Sequence, residues 1–145
     1  MSGIVETVSL DRLYQVYQLL PEFEEQLSLE SIASRVGERF LALVYCRDGE
    51  DVGFKLGYAR EPGEFYSWLG GVLPGQRGQG VAQALLEAQE AWARAQGFAV
   101  LRVRSRNGFP AMLRLLIRNG YLLEEVLPAP DPAWNKIQFS KPIDD

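Results

Sequence analysis

The 145-residue sequence contains no histidine and only one cysteine, Cys46. Without histidine, the usual zinc sites and histidine-based catalytic triads cannot form, so we expect no metal. A single cysteine cannot form an internal disulfide. Because Cys46 lies in the apolar run FLALVYC, a buried structural thiol is favoured over a nucleophile. The chemistry must therefore come from other residue types.

The sequence also lacks an excess of positive charge and any apolar run long enough to cross a bilayer. A net charge of −4 and a pI near 5.0 argue against a broad nucleic-acid surface. The first ten residues, MSGIVETVSL, have neither the basic nor the apolar region of a secretion signal. We therefore predict a cytoplasmic protein that binds neither nucleic acid nor membrane, folded as one domain over residues 1–145.

Hydrophobic periodicity predicts a chain of alternating strands and helices. Asp11 is the predicted N-cap of the first helix, and Asp48-Gly49 is a strong hairpin signal between two strands. The tail, residues 142–145, is expected to be frayed. The predicted helices begin near residues 10, 29, 81 and 110 and end before Pro21, Gly37, Gly97 and Gly120. The predicted strands are residues 4–9, 40–46, 51–59, 64–73, 99–105, 121–126 and 135–141.

The most informative stretch is the strand over 64–73 with the loop and helix that follow it. A helix start preceded by flexible backbone presents unpaired N–H groups and the positive end of the helix dipole, which together suit a phosphate. The Rossmann pattern G-x-G-x-x-G fails, because Gln83 occupies its last position, and no P-loop occurs. The pattern that is present is R-x-x-G-x-A, from Arg77 through Gly80 to Ala82.

The segment VLPGQRGQGVAQALL resembles the acyl-coenzyme A binding motif of the GNAT superfamily of N-acetyltransferases, [QR]-x-x-G-x-[GA] after a strand. The likeness continues through Gly97-Phe98, the strand over 99–105 and Asn119-Gly120-Tyr121. It implies an α/β (α+β) GNAT fold. Such a fold has a mixed, mostly antiparallel sheet of six to seven strands, splayed in the middle and flanked by about four helices.

The resemblance implies acetyl-CoA as cosubstrate and no metal. Paired glycines at Gly70-Gly71 are typical of a bulge, where the central strand would part from its neighbour. The backbone near Val72 would polarise the thioester carbonyl. Asn107 matches a cofactor-bonding asparagine, although a turn or cap residue is an equal alternative. The cofactor-binding residues implied in this way are Gly70, Gly71, Val72, Arg77, Gly78, Gln79, Gly80, Val81, Ala82, Gln83 and Asn107.

The implied activity is direct transfer of an acetyl group to a primary amine of a small molecule, peptide or protein, by an enzyme that is often a homodimer in this family. Glu64, which opens the central strand, is the first candidate for the base, and Tyr66 is the second. Leu116 stands where many members carry a tyrosine that protonates the thiolate. A non-catalytic acyl-CoA-binding module that acts as a sensor or assembly partner is the alternative, and a plain nucleotide binder is a third.

Two charge patterns bear on the acceptor. Acidic residues near the predicted cleft are compatible with a cationic acceptor or with an exposed acidic loop: Glu22, Glu24 and Glu25. Basic residues share one parity of the strand over 99–105, either as a solvated face or as a basic strip near an anionic ligand or acidic substrate: Arg102, Arg104 and Arg106. Neither pattern identifies the acceptor.

Overall fold

The computed structural model describes residues 3–21, 23 and 26–144. Within them the chain forms one seven-stranded sheet in the order β1-β2-β3-β4-β5-β7-β6, with four helices. Only the β4–β5 pair is parallel. The strands are β1 Ile4–Thr7, β2 Phe40–Arg47, β3 Glu50–Glu61, β4 Glu64–Val72, β5 Val100–Arg106, β6 Leu122–Leu127 and β7 Lys136–Pro142; the helices are α1 Leu10–Tyr17, α2 Leu29–Val36, α3 Val81–Ala95 and α4 Pro110–Arg118. The predicted fold class is confirmed, and each predicted strand bound lies within two residues of the observed one.

The sheet buries an apolar core on each of its faces. Helices α1 and α2 pack against Phe54, Leu56 and Tyr66 on one face. Helices α3 and α4 pack against Leu101 and Phe139 on the other. We call these the α1/α2 face and the α3/α4 face. Because side chains alternate along a strand, each strand contributes to both cores. No helix of the described residues is long and apolar enough to span a membrane.

The structure confirms the predicted turn between β2 and β3 but not the predicted N-cap of α1. Asp48 and Gly49 join β2 and β3 as a two-residue turn, with φ values of 54° and 81°, so the hairpin prediction is confirmed. The N-cap prediction is wrong by two residues. Ser9, in extended conformation, caps α1 because its side-chain oxygen accepts a hydrogen bond from the Arg12 N–H, and Asp11 lies inside the first turn. Cys46, expected to be buried, is only partly buried.

Pro142 and Ile143 are held in place where we expected the tail over residues 142–145 to be frayed; Asp145 lies outside the described residues. Pro142 is the β7 partner of Val100, and Ile143 is 1% exposed within the core of the α3/α4 face. The Ile143 N–H donates to the Ala99 carbonyl at 2.9 Å, and the Arg94 guanidinium donates to the Ile143 carbonyl at 2.8 Å. The prediction fails because these backbone groups and an apolar side chain find partners on distant elements.

Helix α3 largely buries the stripe that its periodicity predicts, since Val81 and Leu85 are buried and Ala88 and Trp92 pack against the core. The prediction is wrong for Ala95, which it includes in the stripe, and for Glu90, which it leaves out. In the structure Ala95 is exposed, whereas Glu90 is buried and accepts a hydrogen bond from the Tyr121 hydroxyl at 2.7 Å. Lys141 on β7 completes this buried cluster, 3.1 Å from the same carboxylate. The acid is buried because both partners are supplied from outside the helix.

Candidate active site

The sheet splits in its middle. Strands β4 and β5 pair over only four residues, from Glu64 opposite Val100 to Ser67 opposite Val103. The next residue, Trp68, has no partner on β3, because the register there passes from Leu56–Leu69 directly to Gly57–Ser67. This bulge turns β4 away from β5 and opens a V-shaped cleft. The predicted splayed sheet is therefore present.

The bulge lies at a different residue from the one we predicted. Gly70 and Gly71 keep regular pairing with Lys55 and Phe54 on β3, so the paired glycines do not form it. Gly70 lies beside the Lys55 side chain. A Cβ atom at Gly70 would lie 3.6 Å from the Lys55 side chain and 3.4 Å from the Phe54 carbonyl oxygen. The irregularity falls at Trp68, where pairing with β5 has just ended.

The cleft has a volume of about 1540 Å³ and opens to both faces of the sheet. On the α1/α2 face, aromatic residues such as Tyr17, Phe23 and Trp68 line it. On the α3/α4 face it is lined by the loop before α3 and by the first turns of α4. One ligand can therefore enter from each face and meet another at the apex, where the strands diverge.

The loop before α3 presents backbone to the cleft. Gly78 and Gly80 have φ values of 77° and 82°, a left-handed conformation that other residues rarely adopt. No atom of the described residues lies within 4 Å of a Cβ built on either glycine. Gly80 is the N-cap of α3, and no described side chain caps this helix start. The N–H groups of the first turn and the positive end of the helix dipole are thus available to an anionic ligand.

Polar side chains in and around this loop form hydrogen bonds with neighbouring elements. The Arg77 guanidinium, which also lines the cleft, donates to the Val72 carbonyl at 3.0 Å. Gln79 accepts a hydrogen bond from Arg47 and does not belong to the cleft lining. Gln83 exchanges two hydrogen bonds of 2.8 Å with Asn119. Val81 and Ala82 complete the lining at the helix start.

A polar atom without a partner lies at the apex. The Ser67 side chain is 2% exposed, lines the cleft, and its Oγ has no hydrogen-bond partner among the described residues. Leaving a buried hydroxyl unpaired costs about 1–3 kcal/mol. The Ser67 hydroxyl is therefore available to a hydrogen-bond partner in the cleft.

Sequence reasoning missed Lys55, which lines the cleft beside Gly70. Lys55 is 7% exposed, and burial lowers the pKa of its ammonium to about 8, against a smaller opposing effect of Glu90. A lysine between Phe54 and Leu56 is typical of a solvent-facing position in an alternating strand. Its cross-strand partner is Gly70, and the local sequence pattern carries no signal that Lys55 is buried.

The two candidate bases lie in different places. Glu64 is buried at the start of β4, where its two oxygens accept hydrogen bonds from Arg60 and Arg102, and it is not part of the cleft lining. Tyr66 lines the cleft. Burial raises the pKa of Tyr66 above its ordinary value, so the neutral phenol is its form near pH 7. The structure brings only Tyr66 to the cleft, and the role of each residue stays a prediction.

Asn107 and Leu116 are not among the residues that line the cleft. Asn107 is exposed, and its side-chain amide donates to the Pro132 carbonyl at 3.2 Å, as a turn residue would. Leu116 is buried in the core of the α3/α4 face. Glu22, Glu24 and Glu25, the residues behind the expectation of a cationic acceptor, lie outside the described residues. No group of three or more acidic or cysteine side chains among the described residues could hold a metal ion.

A mostly antiparallel sheet that splits beside a parallel pair, with a glycine-rich helix start at the opening, is the GNAT fold. The family model described as "Acetyltransferase (GNAT) family" matches residues 7–121, and the chain belongs to this family. No curated protein sequence matches the chain significantly.

Solved structures share the fold at low sequence identity. The ribosomal-protein-S18-alanine N-acetyltransferase of Escherichia coli is 23% identical, with a TM-score of 0.84 over 99% of this chain and 95% of its own. Ard1 of Thermoplasma volcanium is also 23% identical, with a TM-score of 0.84 over 99% of both chains. A phosphinothricin acetyltransferase of Sinorhizobium meliloti, solved in complex with AcCoA, is 15% identical, with a TM-score of 0.82 over 99% of this chain and 90% of its own.

Proposed function

We propose that this protein is an acetyl-CoA-dependent N-acetyltransferase that transfers an acetyl group directly to a primary amine of a small molecule, peptide or protein. One observation carries the proposal: a split sheet and an open glycine-rich helix start meet at a single cleft, in a chain of an acetyltransferase family. Acetyl-CoA would supply the acetyl group as an activated thioester.

The residues of the cleft fit this cosubstrate. Backbone N–H groups at the start of α3 suit a pyrophosphate, and the glycines allow it to approach closely. Beyond Ser67, β4 has no β5 partner, so its backbone groups are free to bond the amides of an extended ligand arm. The unpaired Ser67 hydroxyl adds a polar contact at the apex. The AcCoA complex of the Sinorhizobium meliloti neighbour supports the same assignment.

Proton transfer must be managed without histidine. In this proposal the Tyr66 phenol donates a hydrogen bond within the cleft, and Glu64 holds Arg60 and Arg102 in place. We expect Tyr66→Phe to lower kcat/KM by about tenfold or more. Glu64→Gln should keep the fall of kcat/KM toward low pH, because in this proposal Glu64 is not the base. Loss of that fall in Glu64→Gln, but not in Tyr66→Phe, would assign the base to Glu64 instead.

Two glycine variants test cosubstrate binding. Gly80 and Gly97 begin and end α3, both with positive φ and open space where a Cβ would stand, so Trp substitutions should strain the backbone equally. They are separated by about 25 Å of helix. Calorimetric titration should show acetyl-CoA and CoA binding to the native protein and to Gly97→Trp, and no binding to Gly80→Trp. Failure of the native protein to bind either would refute the site, and equal binding of ADP would indicate a plain nucleotide site.

Turnover is tested separately by measuring release of free thiol from acetyl-CoA with a panel of amines. Release that depends on an added amine is the result expected of a transferase. Tight CoA binding without release from any amine would favour a non-catalytic acyl-CoA-binding module. The buried Leu116 means that thiolate protonation must be achieved without a side-chain acid at that position.

A further inference from the structure

Charge is distributed unevenly between the cleft and the rest of the molecule. The chain has 15 Lys and Arg residues against 19 Asp and Glu, yet the described cleft-lining residues include eight of the basic residues and none of the acidic ones. Among the described residues, the ionisable side chains of the cleft wall are therefore all basic, in a protein whose net charge is −4. The basic lining residues are Arg35, Lys55, Arg77, Arg104, Arg106, Arg114, Arg118 and Lys136.

Four of these cations lie on the face opposite α3. Leu101, Val103 and Ile137 pack into the core of the α3/α4 face, so strand alternation directs the intervening residues of β5 and β7 to the α1/α2 face. These residues include Arg104, Arg106 and Lys136, and Arg35 on α2 approaches from above, with its guanidinium 4.2 Å from the centre of the Trp68 ring. We call Arg35, Arg104, Arg106 and Lys136 the basic strip.

The basic strip lacks compensating negative charge. Arg35 donates to the Tyr58 hydroxyl at 3.0 Å, Arg104 to the Gln138 side chain at 3.1 Å and Arg106 to the Trp134 carbonyl at 3.3 Å, all neutral acceptors. No carboxylate of the described residues lies within 4.0 Å of a basic-strip nitrogen.

Arg106 and Lys136 are in addition direct cross-strand partners. Like charges in that position destabilise a sheet. The strip therefore carries unpaired charge that a bound anion would relieve.

A neighbour on the same strand provides the contrast. Arg102 has the same parity as Arg104 but lies where β5 is still paired with β4, outside the cleft lining. There the chain supplies two carboxylates, Glu64 and Glu124, to one guanidinium. Among the described residues, the basic side chain of β5 outside the cleft thus has carboxylate partners, whereas Arg104 and Arg106 inside it have none.

Tyr66 links the strip to the apex. Its pKa is raised most by burial, and the positive charges of Arg104 and Arg35 oppose that rise. Tyr66, Arg35 and Arg104 all line the same cleft. Arg104 and Arg106 lie about 7 Å apart along β5.

We propose that the α1/α2 face of the cleft receives an acidic amine, that is, a primary amine on a molecule that carries carboxylates spaced to reach the basic strip. This inference concerns the part of the site that binds the acceptor, so it rests on the proposed acetyl transfer. The spacing of the strip matches several carboxylates, as in a glutamate-rich peptide start, better than one, although a dicarboxylic amino acid presents the same chemistry.

The test uses ligands that differ only in charge. Calorimetric titration of the CoA-saturated protein with the peptide amides Ala-Glu-Glu-Gly, Ala-Gln-Gln-Gly and Ala-Lys-Lys-Gly, and with glutamate and glutamine, separates peptide from small-molecule acids. We expect at least about tenfold tighter binding of an acidic ligand than of its neutral counterpart, weakening as salt rises. Equal binding of the three peptides and of the two amino acids, or preference for the lysine peptide, would overturn the inference.

Charge-removal variants locate the effect. Arg104→Gln and Arg106→Gln should each weaken binding of the preferred acidic ligand about five- to tenfold and leave the neutral one unchanged. Arg39→Gln is the control, because Arg39 is exposed and lies over Phe98 outside the cleft lining. An equal loss in all three variants would refute the assignment to the strip. Because binding is measured without turnover, acidic binding without thiol release would refute the proposed function and leave the ligand assignment intact.

Discussion

Replacing Lys55 by methionine should stabilise the protein in a pH-dependent manner. Burial lowers the pKa of Lys55 from 10.5 to about 8, so the unfolded chain binds more protons than the folded one between these values. Stability contributed by this group therefore rises with pH across that window. Near pH 7 the folded protein carries a buried ammonium at a cost of about 3 kcal/mol, whereas at pH 10 most of that cost is gone. Methionine fills similar space without the charge.

Urea unfolding followed by tryptophan fluorescence measures this effect at pH 7, 8.5 and 10. The free energy of unfolding of Lys55→Met should exceed that of the native protein by about 3 kcal/mol at pH 7 and by less than about 1 kcal/mol at pH 10. Arg114→Met, at an exposed arginine of α4, is the control for loss of a surface charge and should change it by less than about 0.5 kcal/mol. A gain that is absent at pH 7, or that does not shrink with rising pH, would refute the argument.

Four further substitutions test the packing and capping described above by urea unfolding. Ser9→Ala should lower the free energy of unfolding by about 1 kcal/mol and Asp11→Ala by less than half as much, and the opposite ranking would restore Asp11 as the cap. Tyr121→Phe should cost about 1–3 kcal/mol because Glu90 loses a buried hydrogen bond, and an unchanged transition midpoint would contradict that role. Leu116→Ala should cost about 2–5 kcal/mol, and a loss below about 1 kcal/mol would show that this side chain does little for the core.

The features that could be predicted from the sequence depend on short-range chemistry. The Asp48-Gly49 turn needs two residues that tolerate positive φ, and aspartate and glycine both do so. The loop through Gly78 and Gly80 is equally local, so its backbone conformation followed from the residue types. The strand alternation that separates Leu101 from its basic neighbours was visible as well.

What could not be predicted depends on partners far along the chain. Glu90 belongs in a core only because Tyr121 and Lys141 arrive from the α4–β6 junction and β7. Asn107 matched a family position, but its side chain contacts the loop before β7, and no local pattern announces that contact. The sequence predicts the bulge at Gly70-Gly71, because glycine is the common sequence sign of a bulge. In the structure the bulge lies at Trp68, directly after the last residue of β4 that pairs with β5.

The short parallel joint between β4 and β5 also has a kinetic consequence. Strands β2, β3 and β4 are consecutive and linked by tight turns, so they can assemble quickly from contacts that are close in sequence. Strand β5 can join them only after the chain has passed through α3, and the direct pairing between β4 and β5 is only four residue pairs long. We therefore expect residues 64–67 and 100–103 to pair later than the β2–β3–β4 meander, so that the apex of the cleft is a late contact of folding as well as the centre of the site.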